Sequence, residues 1–224
     1  TPTPTPSPTP QPAVRVEQAD WSLFLGDYDS ALTSYQTALS AAGDDETKAA
    51  ALVGIGRTQL LRGSPLLALN SLRQAVQNYS DTYHGKGAYF FLGQTYEYLQ
   101  NYADAAKAYE TFQILRPGVI DAFLYEKVGN NRLRAGDPNG AVTAFQSALQ
   151  ADPPGNATAL AIKIGQAYTA AIDYTNAVRT YVDAFDQTNS DYYKATIDYL
   201  LGNVYLAMGY SDQAYARFQD AVNN

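Results

Sequence analysis

The sequence repeats itself every 36 or 37 residues, and this period limits the possible folds more than any other feature. One alanine marks each repeat, at Ala31, Ala68, Ala105, Ala141, Ala177 and Ala214. A small residue lies twelve positions earlier, at Ala19, Gly56, Gly93, Gly129, Gly165 and Gly202. A large residue lies four positions later, at Tyr35, Leu72, Tyr109, Phe145, Tyr181 and Phe218. Six copies in one register indicate an array of short structural repeats.

The spacing inside each repeat is that of an α-helix. A small residue, a large residue four positions later and a small residue three further on lie on one helical face. Ser64-Pro65 and Asp137-Pro138 each place a capping residue before a proline at the first helical position. Glycines that suit a left-handed C-cap stand between the two stripes of four repeats, at Gly26, Gly63, Gly136 and Gly209. Each repeat is therefore predicted to form a helix–turn–helix, which gives twelve helices in all.

The pattern resembles the tetratricopeptide repeat (TPR), in which a large residue, Leu-Gly and Tyr precede an Ala, an aromatic residue and often a Pro. The clearest copy carries Tyr89, Leu92-Gly93, Tyr96, Ala105, Tyr109 and Pro117. The resemblance implies an all-α, right-handed superhelical solenoid of six helix–turn–helix repeats over residues 13–224. The approximate repeat limits are 12–48, 49–85, 86–121, 122–157, 158–194 and 195–224.

Residues 1–12 read TPTPTPSPTPQP and are predicted to lie outside the repeats as an extended tail or linker. Alternating proline prevents helix formation and favours polyproline II, which rises about 3.1 Å per residue. The segment is either a spacer or a peptide that docks in a groove. Its hydroxyl residues are candidates for O-glycosylation, as in mucin-like stalks, at Thr1, Thr3, Thr5, Ser7 and Thr9.

The junctions between repeats suggest a cellular location. The period exceeds the usual 34 residues of a TPR. The extra residues fall in junctions such as NYSDTYHGKG and TNSDYYKATI. These junctions look similar to those of bacterial envelope TPR proteins, although Ser80 and Asn189 stand where proline is usual. The similarity implies an extracytoplasmic bacterial protein, at the cell surface or secreted.

Composition excludes most chemistry. The chain has no cysteine and one histidine, so neither a thiolate site nor a multi-histidine metal site can be built. His84 lies beside Gly85 and Gly87, and we expect it to be solvated in a junction loop. The net charge of −7 disfavours nucleic acid and anionic lipid as partners, and no apolar run has the length of a membrane span. We therefore expect a non-enzymatic protein without metal or cofactor.

The remaining candidates for function are surfaces. In TPR proteins the first helix of each pair lines the inner wall of the solenoid. The candidate peptide-binding residues on this wall are Arg57, Phe90, Gln94, Tyr98, Asn130, Arg134, Lys163, Gln166, Tyr199 and Asn203. Amides can donate to and accept from a peptide backbone, and aromatic rings stack on proline. The alternative is that these residues form only a solvated polar wall.

The ends of the array carry apolar residues beyond the needs of their own helix pair. The candidate assembly residues are Val16, Trp21, Phe24, Tyr215, Phe218 and Val222. Two different adhesive ends form a heterologous contact, which yields an open fibre when it does not close. The leading hypothesis is a subunit of an extracellular filament, with its N-terminal tail docked on a neighbour. The alternative is an envelope-anchored adaptor that holds an extended peptide of its partner.

Overall fold

The computed structural model describes residues 10–151 and 156–223. Within these residues the chain is all-α, with twelve helices and no strand. The helices are α1 (Pro12–Phe24), α2 (Tyr28–Ala41), α3 (Asp45–Leu61), α4 (Pro65–Asn78), α5 (Tyr83–Tyr98), α6 (Tyr102–Leu115), α7 (Asp121–Arg134), α8 (Pro138–Ala151), α9 (Ala157–Ala170), α10 (Tyr174–Gln187), α11 (Asp191–Ala207) and α12 (Ser211–Asn223). The predicted all-α class and the six helix pairs are confirmed.

The chain divides into two compact units, Thr1–Arg116 and Pro117–Asn224. Unit 1 contains α1–α6 and unit 2 contains α7–α12, so each unit holds three helix pairs. In every pair, the first helix packs against the second. Within each unit, the second helix of a pair also packs against the first helix of the next pair.

A close approach between two helices fixes the geometry of five of the pairs. A Cβ atom added to Gly93 would lie 2.6 Å from the Tyr109 ring, and one added to Gly165 would lie 2.4 Å from the Tyr181 ring. The same contact joins Gly56 to Leu72, Gly129 to Phe145 and Gly202 to Phe218. The predicted role of the small and large residues is therefore confirmed, since any side chain on these glycines would displace the large residue opposite.

Five first helices begin before the approximate repeat limits, α7 and α9 by one residue and the other three by three or four residues. The chain enters α3 at Asp45, α5 at Tyr83 and α11 at Asp191, inside the residues assigned to the preceding repeats. Two of these starts have side-chain caps that the periodicity did not reveal. Asp44 accepts a hydrogen bond from the Thr47 backbone N–H at 2.8 Å, and Thr82 accepts one from Gly85 N–H at 2.9 Å. At the N-terminal end of the array, α1 begins with Pro12, the last residue of the predicted tail.

The turn inside each pair contains one residue with positive φ. Glycine occupies this position in four pairs, at Gly26, Gly63, Gly136 and Gly209. The other two pairs place Gln100 (φ 58°) and Ile172 (φ 61°) there. At Ile172 the turn closes with hydrogen bonds from Ile172 N–H to the Thr169 carbonyl and from Asp173 N–H to the Tyr168 carbonyl. A β-branched residue is strained in this conformation.

A charged pair replaces an apolar contact in the last helix pair. Asp198 on α11 is fully buried, and it accepts a hydrogen bond from Arg217 of α12 at 2.8 Å. The corresponding residue of the preceding repeat is Ala161. The two charges are complementary, so burial of Asp198 does not leave an isolated charge.

We predict that Tyr109→Ala lowers the free energy of unfolding by about 3–5 kcal/mol, because the buried ring fills the space above Gly93. Urea denaturation followed by circular dichroism measures the change. The control is Tyr98→Ala, an exposed tyrosine, for which we expect a change within about 0.5 kcal/mol. Equal losses for the two variants would contradict the assigned contact.

We predict that Ile172→Gly stabilises the protein by about 0.5–1 kcal/mol. Relief of about 1–2 kcal/mol of left-handed strain outweighs the backbone entropy that glycine loses on folding. Thermal and urea denaturation measure the effect. Ala170→Gly, two residues earlier within α9, is the matched control and should instead destabilise by about 0.5–1 kcal/mol.

Candidate interaction surfaces

The first helices of successive pairs lie side by side within each unit. In unit 1, α1 contacts α3 and α3 contacts α5, and in unit 2, α9 contacts α11. We call the surface that these helices present the first-helix face. The residue after each small residue forms one row on it, and this row comprises Asp20, Arg57 and Gln94 in unit 1 and Asn130, Gln166 and Asn203 in unit 2.

In unit 1, the cation of this row is already engaged. The Arg57 guanidinium lies 3.5 Å from the Asp20 carboxylate and 5.1 Å from the centre of the Phe91 ring. Tyr35 donates a hydrogen bond to the same carboxylate at 2.6 Å. Burial, together with the hydrogen bond to Asp20, raises the pKa of the Tyr35 hydroxyl. Arg57 is therefore a structural residue of the row as well as a candidate contact for a peptide.

Phe90 faces an aromatic cluster. Its ring centre lies 5.8 Å from that of Tyr109 and 5.6 Å from that of Phe112, and the side chain is half-buried. The Tyr109 hydroxyl donates a hydrogen bond to Glu97 at 3.0 Å. Its pKa is raised, mainly by burial and to a smaller extent by the negative charge of Glu97. Phe90 thus packs within unit 1, whereas Tyr98 is exposed and Gln94 is half-buried.

In unit 2, Lys163, three residues before Gln166 of the row, also forms an ion pair. Its ammonium group lies 2.5 Å from the Glu126 carboxylate, and both side chains are about 30% exposed. Asn203 donates to the Tyr199 carbonyl at 3.0 Å, while Tyr199 and Arg134 have exposed side chains. The cations predicted to face a peptide are thus held by the protein itself at Arg57 and Lys163.

Three amides of the row remain available. Among the described residues, the side chains of Gln94, Asn130 and Gln166 have no hydrogen-bond partner. Gln166 is exposed, and Gln94 and Asn130 are half-buried. The row therefore presents amide groups, and its two charged residues, Asp20 and Arg57, pair with each other.

At the N-terminal end, α1 exposes positions that other repeats bury. Trp21 is 63% exposed, although its equivalents Thr58, Thr95, Asn131, Ala167 and Val204 are at most 1% exposed. Val14 is 41% exposed, while its equivalents Ala51, Ala88, Leu124, Leu160 and Ile197 are at most 2% exposed. We call this surface of α1 the N-terminal face. Within each unit the same surface packs against the preceding helix pair, as Ala88 of α5 does against Leu72 of α4 and Ile197 of α11 does against Tyr181 of α10.

At the C-terminal end, α12 exposes the complementary positions. Tyr215 and Val222 are exposed, and Val222 reaches 86%. Their equivalents in α10 are Val178 and Phe185, which are partly buried against the cluster that contains Ile197 and Leu201 of α11. We call the exposed surface of Tyr215 and Val222 the C-terminal face.

Two candidate assembly residues lie elsewhere. Val16 packs against the buried cluster that includes Ala19 and Tyr35, because it points towards α2 and α3. Phe218 fills the space above Gly202, as its equivalents do in the other pairs. Both side chains therefore pack within their own end of the array, and a part for them in assembly stays a prediction. Trp21 and Phe24 do lie at the surface, where their rings stack with centres 5.5 Å apart.

Comparison with known proteins agrees with this geometry. The family profile described as Tetratricopeptide repeat matches residues 17–81, 55–120 and 128–193. The chain belongs to the tetratricopeptide repeat family. A search of curated protein sequences found no match.

Solved TPR structures share the fold at low sequence identity. A MamA structure is 23% identical with a TM-score of 0.63, and covers 78% of this chain and 90% of its own. YrrB, a TPR protein with an unusual peptide-binding site, is 16% identical with a TM-score of 0.63, at 84% and 91% coverage. PilF of Pseudomonas aeruginosa is 18% identical with a TM-score of 0.58, at 92% and 88% coverage.

The single histidine of this TPR chain is placed differently from the prediction. His84 lies in the first turn of α5, not in a junction loop, because Thr82 caps the helix and Glu46 supplies further acceptors. The Glu46 carboxylate accepts hydrogen bonds from the backbone N–H groups of Tyr83 at 2.8 Å and His84 at 3.1 Å, and it contacts the His84 ring. Glu46 thus joins the starts of two successive first helices.

Some predicted features lie beyond this description. The candidate O-glycosylation residues Thr1, Thr3, Thr5, Ser7 and Thr9 fall outside the described residues.

Between residues 10 and 223, with 152–155 excepted, no helix is long and apolar enough to cross a membrane. Over the same ranges, no group of three His, Cys, Asp or Glu side chains is arranged to hold a metal ion.

We predict that Glu46→Gln destabilises the TPR fold at neutral pH but not in acid. Burial raises the pKa of Glu46, but hydrogen bonds from His84 and Tyr83 outweigh it and hold this pKa below its ordinary 4.5. A carboxyl with a lowered pKa stabilises the folded state above its unfolded pKa, and this contribution disappears as the pH falls through the folded value. The expected loss at pH 7 is about 0.3–1 kcal/mol, as for other exposed charges at helix N-termini.

Urea denaturation of both proteins at pH 7 and at about pH 3 measures the difference, which should shrink in acid. Glu17→Gln, which removes an exposed carboxylate from α1, serves as the control for the loss of one negative charge. A difference that is independent of pH would show that the carboxylate form is unimportant.

Proposed function

We propose that this TPR protein is a self-assembling scaffold whose copies stack end to end through the N-terminal and C-terminal faces. As a TPR chain it belongs to a group of protein–protein interaction scaffolds. One observation carries the finer proposal: both terminal helices expose apolar side chains whose equivalents in internal repeats are fully buried, at Val14 and Trp21, or less exposed, at Tyr215 and Val222. Repeat arrays need polar terminal surfaces to remain separate molecules.

The two faces differ, so their contact is heterologous. Repetition of a heterologous contact gives a ring if the rotation closes and a fibre if it does not. Trp21 is much larger than Thr58, Ala167 or the other residues at its position, so the contact between copies cannot copy the internal contact between repeats. We infer that the Trp21 ring lies flat on the side chains of Tyr215 and Val222, in the arrangement preferred by large apolar surfaces.

The charge of the chain is compatible with association. Only 17% of the residues are charged, and six of them are lysines. A low density of charge weakens the repulsion that keeps copies apart. The proposal also includes docking of residues 1–12 on a neighbouring copy, with O-linked glycans as a further feature of that segment. An extracellular bacterial location rests on the resemblance of the junctions to those of envelope TPR proteins.

The second candidate function is capture of an extended peptide on the first-helix face. It is favoured by the amides of Asn130 and Gln166 in unit 2, which have no partner among the described side chains and lie on first helices of successive pairs. Such amides can pair with a peptide backbone. YrrB is described as having an unusual peptide-binding site, but an identity of 16% supports only a shared fold with this chain.

We predict that Val222→Glu and Trp21→Glu each abolish long assemblies, because each places a charge in a contact that must exclude water. Light scattering and negative-stain microscopy measure assembly length. The matched control is Leu66→Glu, which adds the same charge at an exposed leucine of α4 outside both faces. Circular dichroism should show that all three variants are folded.

Mixing the two variants tests the heterologous contact itself. Trp21→Glu keeps an intact C-terminal face, and Val222→Glu keeps an intact N-terminal face. An equimolar mixture should therefore contain, by analytical ultracentrifugation, a species larger than either variant forms alone. Fibres that persist in either single variant, or a mixture identical to its components, would refute end-to-end stacking.

Asn130→Ala with Gln166→Ala separates the two candidate functions. If the chain is a peptide-binding adaptor, this double variant should lose its partner while its assembly stays unchanged. If it is a stacking scaffold, the double variant should assemble like the parent, as the first-helix face takes no part in the terminal contact.

A further inference from the structure

A second apolar surface lies on unit 1 and adjoins the N-terminal face at Phe24, whose ring stacks on Trp21. Phe24, Leu61 and Tyr98 are 78%, 60% and 61% exposed and stand 37 residues apart in the last turns of α1, α3 and α5. We call these three side chains the apolar row. The terminal contact between copies does not require them, and the buried core of unit 1 does not include them.

The members of the apolar row lie on adjacent repeats. The Tyr98 hydroxyl is 3.8 Å from the position of a Cβ atom on Gly63, so its ring reaches the turn that follows Leu61. The Arg62 guanidinium, next to Leu61, lies 2.7 Å from the Asp29 carboxylate at the start of α2. The three helix ends therefore form one continuous edge of unit 1.

The row is confined to unit 1. The equivalent positions in unit 2 are Arg134, Ala170 and Ala207, so no large apolar side chain stands there. General requirements of the repeat therefore do not explain Phe24, Leu61 and Tyr98, and unit 2 provides matched positions for controls.

We propose that the apolar row binds the Thr/Pro segment, residues 1–11, of a second copy of this chain. A polyproline-II helix turns once in three residues, or about 9 Å. Packed helices lie about 8–10 Å apart, so successive turns of the segment match successive members of the row. Because proline alternates in TPTPTPSPTPQ, one side of such a helix presents Pro, Thr or Ser, and Pro in turn.

This order matches the order of the row. Proline rings pack well on aromatic rings, which suits Phe24 and Tyr98 at its two ends. The smaller threonine or serine then meets Leu61 in the middle. The remaining hydroxyl residues lie on the other sides of the polyproline-II helix, where they stay accessible to modification.

The length of α1 favours a segment from a second copy over the chain's own. Residues 1–11 precede Pro12 at the start of α1, and Phe24 lies at its other end, about 20 Å away. Six or seven extended residues are needed to cover about 20 Å, at about 3.1 Å each. The four or five of residues 1–11 that remain are fewer than the seven needed to place one residue on each of the three members of the row, at intervals of three residues.

This inference rests on the part of the proposed function that brings two copies together, but it needs neither terminal face. The test therefore uses the full chain with Val222→Glu, in which end-to-end stacking is blocked. The first probe is a synthetic peptide, TPTPTPSPTPQP. Its readout is the fluorescence of Trp21, the single tryptophan, which stacks on Phe24.

We expect saturable binding of the peptide that is weakened about tenfold by Leu61→Ala or Tyr98→Ala, since each removes a large apolar contact. Ala207→Ser, at the matched position of unit 2, should leave binding unchanged. A peptide with alanine in place of every proline should bind much more weakly. Equal binding by all variants, or by both peptides, would overturn the inference.

The second probe identifies the origin of the segment. A photoreactive benzoylphenylalanine replaces Tyr98 in unlabelled protein, which is mixed with nitrogen-15-labelled protein that lacks the probe. Mass spectrometry should find residues 1–11 of the labelled chain linked to position 98. Links to the unlabelled chain's own segment alone, or no links to that segment, would refute docking between copies. Loss of fibres in Val222→Glu with these links retained would support both proposals, whereas fibres without the links would leave only end-to-end stacking.

Discussion

The contact between a glycine of the first helix and a large side chain of the second helix is the constraint on which the rest of the structure depends. In five pairs it brings the two helices so close that the large residue is completely buried at Leu72 and Tyr109 and almost completely at Tyr181. The contact also affects the surface, because a tyrosine ring is long enough for its hydroxyl to cross the pair. Tyr35 reaches Asp20 and Tyr109 reaches Glu97, so the same residue fills the core and orients a carboxylate on the first helices.

Sequence periodicity was sufficient to predict the helix pairs because burial repeats with the chain. Gly93, Ala105 and Tyr109 each have equivalents at the same positions of the other repeats. Six weak patterns, one in each repeat, therefore reinforce one another. Interactions that occur once were beyond this kind of reasoning. The burial of Asp198 depends on Arg217, and the place of His84 depends on Glu46, 38 residues earlier. The strained turn at Ile172 is similar, since only its neighbours show that the position is left-handed.

The candidate surfaces were predicted to different degrees for a physical reason. Whether a terminal helix is covered depends on what precedes or follows it in space, so the exposure of Trp21 and Val222 was accessible from their place in the repeat. The packing of Val16 and Phe218 within their own ends of the array was not predicted, because apolar character alone does not tell which side of a helix a residue occupies. The availability of Arg57 and Lys163 required side-chain geometry, because their partners Asp20 and Glu126 are 37 residues distant.

Because the six helix pairs are equivalent, helices from different repeats can also pair wrongly during folding. A second helix can in principle dock on the first helix of the wrong repeat, or on that of another molecule, in an exchange resembling domain swapping. The tyrosine hydroxyls counter this error. Tyr35 placed opposite Gly56 would meet Arg57, which has no acceptor, in place of Asp20, so its hydroxyl proton would be buried without a partner at a cost of about 1–3 kcal/mol. Hydrogen bonds at the tips of core side chains therefore let an almost uniform array distinguish its own repeats from one another.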